Sequence, residues 1–502
     1  VALSLLGLGV MVVPSASLRA QSAGATTSGT PVATAGAGAS TTGAASQQVG
    51  GGLTNLYNAS GSNGANADQN SFKGSLISGK NTGTVIPLSL DEAIQRGLRQ
   101  NLGIILQSSA AQSANGSRLE QLQALLPTVS AQASIQVQQT DLAAFGLRIP
   151  NFSPVIGPFQ TEDARAYLTQ KVLNLTSLQT YIASKHSFAA ARLSAEDARD
   201  MVVLTVGNAY LLCVADEARV EAINAALKTA KLTYDQSVQS HDAGVSPRLD
   251  VLRAQVDYQS EEQNLISAVN QSAKDKIALA RAIGLPLDQQ YALTDKAPYQ
   301  PLDNLDPSLS FEQALKLRKD LAAAGEQVSA GEAARKAAYD DRLPTIDVAG
   351  NYGDIGDTYT HSHGTFTATG QVTVPVLQIV KDKGEQDVAN ATLDQAKARL
   401  SDSTQQVNAD IRSAILDIQS AAKLVEAAKS NVDLATEALS EAQQRYHAGV
   451  ADNLPVSQAQ TSFEQANDQY ISALYQHNVA KLSLARALGV AQTNYKDYLG
   501  GK

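Results

Sequence analysis

The sequence predicts a mainly α-helical chain with membrane-type β strands, assembled from two copies of one unit. Three observations predict it. Two stretches far longer than an ordinary helix run with almost no proline. Three short segments alternate apolar and polar residues with a period of two, and a fourth does so poorly. Two long segments, one in each half of the chain, repeat one another at a constant offset of 205 residues. Composition agrees: aromatics make up 5% and tryptophan is absent, which suits alanine-rich helices better than a large enzyme core. The 39 Lys and Arg against 48 Asp and Glu leave a formal net charge of −9. A dedicated nucleic-acid binder needs a basic face for phosphates, so that class is argued against.

The apolar run from Val1 to Pro14 is followed by the small residues Ser15, Ala16, Ser17 and Ala20. Residues 1–20 are therefore expected to be the remnant of an export signal, cut after Ala16 or Ala20. The run is too short for a membrane helix, which takes about 20 residues. No other stretch reaches 18 apolar residues, which argues against a helical inner-membrane transporter. From Gln21 to Asn70, 34 of 50 residues are Gly, Ala, Ser or Thr. Such a composition buries too little apolar surface to offset the entropy of ordering, so residues 21–84 are expected to be a disordered arm.

The repeat organises the rest. HDAGVSPRLDVLRAQ (His241–Gln255) and IALARAIGL (Ile277–Leu285) match YHAGVADNLPVSQAQ (Tyr446–Gln460) and LSLARALGV (Leu482–Val490). Over 241–285 and 446–490, 17 of 45 positions are identical, well above chance for alanine-rich sequence. LSLDEA (Leu88–Ala93) pairs with LSFEQA (Leu309–Ala314), and ALLPTVSAQA (Ala124–Ala133) with DRLPTIDVAG (Asp341–Gly350). The first repeat is expected over 85–289 and the second over 309–490, with a linker at 290–308 and a tail at 491–502. Each has a short helix, a strand pair, and two long helices joined by a turn.

In the first repeat, Val129, Ala131, Ala133, Ile135 and Val137 alternate with Ser130, Gln132, Ser134, Gln136 and Gln138. This predicts a strand over about 128–139, with a less regular partner over about 164–173. In the second, Ile346, Val348, Gly350 and Tyr352 mark a strand over about 344–353. Phe366, Ala368, Gly370, Val372 and Val374 mark its partner over about 365–376. Strands of roughly 9–11 residues cross a bilayer when tilted. Helices are expected over about 177–241 and 247–284, then 380–447 and 453–488. Some 60 residues at about 1.5 Å each give roughly 90 Å of helix, which no compact core requires.

Four strands cannot close a barrel. An open sheet in hydrocarbon leaves unpaired N–H and C=O groups, at several kcal/mol each. Several chains must therefore pool their strands. Two would give eight strands and a filled barrel, and three would give twelve and room for an aqueous lumen.

At this point the sequence resembles the TolC-like outer membrane efflux protein family. The text that carries the resemblance is LSLDEAIQRGLRQNLGI (Leu88–Ile104), ALLPTVSAQAS (Ala124–Ser134), NAYLLCVA (Asn208–Ala215), RYHAGVADNLPVSQAQ (Arg445–Gln460) and the paired segments above. The resemblance implies a homotrimer with a 12-stranded β-barrel in the outer membrane, four strands per chain, continued by a long periplasmic α-helical barrel. It implies outer-membrane lipid around the strands. It also implies a passive exit duct fed by a periplasmic adaptor protein and an inner-membrane efflux or ABC-type transporter, with small molecules such as drugs or toxic compounds as cargo. A protein-exporting type I duct shares all these features. A non-transporting helical rod is the third reading.

The family's adaptor-contacting helix-turn-helix tips carry over to Gly244, Val245 and Leu249, and to Arg445, Gly449, Val450 and Leu454. Bottom-up, Gly244 and Gly449 each follow a long helix, where a residue able to adopt positive φ is wanted. Pro247 and Pro455 then sit near helix starts. Arg445 has Ser240 as its counterpart, so the arginine stands in one copy only. Family members narrow their tube with acidic rings after the second turn. Here those places hold Pro455 and Gln458, while the first copy has Asp250 and the second has Asp452 nearby. A threefold ring of Asp250 would favour cations.

No catalytic signature is present: HExxH, GxSxG and GxxxxGK[ST] are all absent. His361 and His363 form HSH without a third ligand, so no metal is expected. The lone Cys213 sits in an apolar helical run and reads as core. The chain is expected not to be an enzyme and to hold no cofactor.

Overall fold

The computed structural model describes residues 71–147, 149–150, 152–295, 299–302, 306–448, 450 and 453–499. The expected signal at 1–20, residues 21–70 of the expected arm, Gly449 and Asp452 lie outside the described residues.

Residues 71–84 correct the expectation of a disordered arm up to residue 84. Phe72 is buried, and the Asn101 side chain donates to its carbonyl at 2.7 Å. Leu76 N–H donates to Gln100 O and Ser78 N–H to Gly284 O, both at 2.9 Å. These carbonyls close helix ends and have no helical partner, so the strap satisfies backbone groups that would otherwise stay open. One buried aromatic and a ladder of caps outweigh the small-residue composition around them.

The strap leads into β1 (Ile86–Leu88) and α1 (Leu90–Gln100). Ser89 caps α1 by accepting from Glu92 N–H at 3.2 Å, in a Ser-x-x-Glu box. After Asn101 the chain turns into α2 (Leu102–Gln123), then β2 (Thr128–Asp141) and β3 (Val155–Leu173). Next come α3 (Leu175–Asp242) and α4 (Arg248–Ile283). The second half repeats this order. A short strand β4 (Tyr291–Leu293) pairs in parallel with β1, and α5 (Pro307–Leu317), α6 (Lys319–Asp340), β5 (Thr345–Gly356) and β6 (Ser362–Thr373) follow. The chain closes with α7 (Ile379–His447), α8 (Leu454–Ala487) and α9 (Ala491–Leu499).

β2, β3, β5 and β6 form one antiparallel sheet in that order. Register sets Val129 opposite Leu168 and Tyr352 opposite Phe366. β3 reaches well before the expected 164–173. Its start carries Glu162, Asp163 and Arg165, which spoil the alternation. As an inner strand it is paired on both sides, and Arg165 settles its charge on Asp163 at 2.5 Å and on Asn351 at 3.1 Å. β2 and β6 are the two edges, and Val129, Ile135, Val137, Phe366 and Val372 are all exposed.

α3, with 68 residues, and α7, with 69, are each roughly 100 Å long at 1.5 Å per residue. Two shorter helices stack beside each. Near its start α3 meets α2 and α6, with Arg118 over the Phe188 ring and His186 2.7 Å from Glu326. Further on it meets α4 and α8, where Lys276 lies 2.7 Å from Glu217. The large side chains gather at mid-length. One cluster joins Leu88, Ile94, Val203, Tyr210, Leu279 and Leu482, and α9 adds Tyr495 and Leu499 to it. The other joins Leu321, Val407, Ile411, Ile418 and Leu484. Beyond these clusters alanines line the contacts, among them Ala226, Ala230, Ala254 and Ala466. Small side chains let the helices approach closely over a length that no single core could fill.

Candidate functional site

Both helical hairpins turn at the same end of the molecule. In the first, Gly244 takes φ +73°, and its N–H donates to His241 O at 2.8 Å. Val245 N–H reaches back to Ser240 O at 2.8 Å, completing a Schellman closure of α3. In the second, Val450 N–H donates to Arg445 O at 3.1 Å, the same bond 205 residues later. The His241 ring adds a contact to Ser246 O at 3.0 Å.

The closure leaves the apolar tip residues outside. Val245 is 80% exposed and Val450 74%, with Leu249 and Leu454 also exposed. The Arg445 side chain is exposed beside the second turn, while its carbonyl is spent on the closure. The two tips are neighbours: Ser237 on α3 lies 3.1 Å from the Tyr446 hydroxyl on α7. The expected tip residues among those described are thus brought together as an apolar pair of turns with Arg445 at its edge.

Asp250 is placed differently from a residue projecting into an open tube. It is 4% exposed, in the first turn of α4, with Arg253 at 3.9 Å. An acid in that position is stabilised by the positive end of the helix dipole, and this is the role its geometry supports. Among the described residues no group of three His, Cys, Asp or Glu could hold a metal, and His363 lies within β6. Cys213 is fully buried, and burial, with Asp216 beside it, pushes its thiol well up, so no thiolate nucleophile forms there.

Higher on the hairpins lies a buried acidic contact. Asp216 on α3 is held up at about 7 by burial and by its hydrogen bond with Asp275 on α4, with Arg219 opposing. The signal that could have found it is the charge set DEAR (Asp216–Arg219) inside an otherwise apolar helical run.

The model of the outer membrane efflux protein family matches residues 99–285 and 311–490, one segment in each repeat. The toluene efflux pump outer membrane protein TtgC of Pseudomonas putida is 23% identical over 325 residues, 64% of this chain and 66% of that protein. The aligned region therefore spans just under two thirds of that relative. Outer membrane protein OprJ of Pseudomonas aeruginosa is 24% identical over 396 residues, covering 73% of this chain and 80% of OprJ. The Campylobacter jejuni CmeC outer membrane channel shares the fold with a TM-score of 0.73 at 17% identity, over 86% of this chain and 95% of that one.

Proposed function

The chain belongs to the outer membrane efflux protein family, and from that premise we propose that it is a passive exit duct. It resides in the bacterial outer membrane and extends into the periplasm. Three copies pool four strands each into a closed barrel of twelve, because closure alone removes the open edges of β2 and β6. The exposed apolar side chains of the sheet then face lipid. The long helices of the three copies continue the barrel as a periplasmic tube. The observation that carries this reading is the joining of one open, apolar-faced sheet to roughly 100 Å of paired helices.

The tips receive a periplasmic adaptor. Val245, Leu249, Val450 and Leu454 offer it apolar anchors, Gly244 shapes the first turn, and Arg445 offers it a charge. An inner-membrane transporter supplies energy and chooses the cargo. Small toxic compounds are the proposed cargo, supported by a relative named as part of a toluene efflux pump. The duct itself makes no bond and needs no cofactor.

The test is export from cells. Deleting the gene is expected to raise intracellular accumulation of apolar toxic compounds. Val245→Asp together with Val450→Asp is expected to do the same without changing the amount of assembled protein. Unchanged accumulation, with a secreted protein lost from the medium, would replace this cargo with a protein one.

A further inference from the structure

The four-stranded sheet has two faces of opposite character. Residues paired directly across antiparallel strands share a face. The register puts Val129 with Leu168, and Tyr352 with Phe366, on the apolar one. The other face is mostly Ser, Thr and Gln. Of the residues that register places there, four are charged: Asp163, Arg165 and Lys171 of β3, and Asp347 of β5. Two acids thus stand against two bases. Lys171 lies opposite Asp347, while Asp163 and Arg165 follow one another along β3 near the outer end of β5. His363 of β6 stands on the same rung as Asp163, across Ile355.

We propose that Asp163 and Arg165 set the charge specificity of the barrel: held together on the lumen wall, they keep it neutral, so that cargo of either sign passes. The proposal rests on the duct reading above, which makes this face the lumen. The pair is built and not incidental. Arg165 Nε donates to Asp163 Oδ1 at 2.5 Å, and its Nη1 donates to Asn351 Oδ1 on β5 at 3.1 Å. Between Arg165 and Asn351 stands Gly353, the residue opposite the arginine. A Cβ there would come 2.6 Å from Arg165 Cγ, so the bare glycine lets the side chain lie across β5. Both charged groups are partly covered, at 15% and 26% side-chain exposure, and lie along the wall.

The geometry fixes the sign of each change. A lone charge on a low-dielectric wall focuses its field into the water beside it and enriches ions of the opposite sign. Two opposite charges in hydrogen-bond contact cancel beyond their own separation. Removing the carboxylate therefore unmasks Arg165 and favours anions, and removing the guanidinium unmasks Asp163 and favours cations. Threefold symmetry would set three such pairs at one height, so that each substitution acts as a ring. A pair that served only to hold β3 against β5 would change stability and leave ion preference alone.

The experiment reads the field at the pair itself. Gln132, exposed and directly opposite Arg165, is replaced in Gln132→Cys, in a Cys213→Ala background, and the full chain is reconstituted in lipid vesicles. Its rates of modification by methanethiosulfonates bearing a sulfonate or a trimethylammonium group are compared at low salt. Adding Asp163→Asn is expected to raise the ratio of sulfonate to ammonium rate at least about threefold, and Arg165→Gln to lower it at least about threefold. The double change is expected to restore the parent's ratio, and Arg165→Lys, which keeps the charge, to hold it within about twofold. If the arginine variants do not assemble, Asp163→Asn decides alone. Ratios unmoved in the single variants, or moved in the same direction, would overturn the proposal. Ala131→Cys, on the apolar face, is the control for the duct reading and is expected to resist both reagents. A thiol there as reactive as the one at 132 would deny the membrane barrel, and this specificity with it, whereas a resistant thiol with unmoved ratios would sink the specificity alone.

Discussion

The two repeats hold the same hairpin root by different means. On the first, Cys213, Asp216 and Glu217 of α3 face Asp275 and Lys276 of α4, and Arg219 reaches Asp216. The residues 205 positions on are Ile418, Ala421, Ala422, Leu424, Ala480 and Lys481. Ile418, Ala421 and Ala480 are buried, and Ile418 and Ala480 share the second cluster with Ile411 and Ile415. Lys276 lies 2.7 Å from Glu217, whereas Lys481, at 1% exposure, has no partner among the described residues for its ammonium. One backbone geometry is thus held by paired charge in the first repeat and by apolar packing in the second. The polar version carries a proton-linked group, and the apolar one has a lysine with Ala422 at the position where the first repeat has the pairing Glu217.

The strongest way to break this comparison is to move an acid into the apolar copy. Ala421→Asp would put a carboxyl where the parent buries a methyl group, and is expected to cost about 3 kcal/mol or more in denaturant unfolding. A loss under about 0.5 kcal/mol would mean that the two roots are interchangeable. Next in size are the paired helix-ending glycines. Gly284 and Gly489 both sit at φ +73°, but a Cβ on Gly284 would come within 2.5 Å of Leu76 O, against 3.0 Å from Arg318 Cα for Gly489. Gly284→Ala is expected to cost about 2 kcal/mol and Gly489→Ala about 1 kcal/mol, measured in parallel. The reverse order would deny the strap over 71–84 its role.

Smaller effects sharpen the contrast. Burial holds the Lys481 ammonium down at about 8. Lys481→Met is expected to gain about 1 kcal/mol, because an uncompensated charge is removed. Lys276→Met is expected to lose about 0.5 kcal/mol with its half-exposed ion pair. Equal signs for the two lysines would contradict the account. The smallest effect is a slope. Asp216 is raised from 3.8 to about 7, so the native state binds the extra proton and stability falls as pH climbs through that range. Asp216→Asn is expected to flatten the fall, seen as converging thermal midpoints at about pH 5 and about pH 8. A slope equal to the parent's would assign the proton elsewhere.

Much of this molecule is legible in its residues, because long-range order repeats short-range pattern. The 205-residue offset announces two hairpins, and the Schellman bonds at Val245 and Val450 repeat at that spacing. The strand at Val129–Val137 is plain since one face is apolar and the other polar. The first part of β3 is hidden, because Glu162, Asp163 and Arg165 are tolerated by pairing on both sides. The strap at 71–84 is hidden too: one phenylalanine and several backbone bonds leave little trace in composition. At the tips, exposed valines follow from the turn. The burial of Asp250 does not, since a first-turn acid can face in or out of the bundle.

Everything functional depends on the open sheet being completed by other copies within a membrane. Single-channel recording of detergent-purified protein in a planar bilayer tests that most directly. The expected result is a stable ohmic pore from an assembled trimer. A chain that stays monomeric and soluble without detergent, and never inserts at high protein, would contradict it.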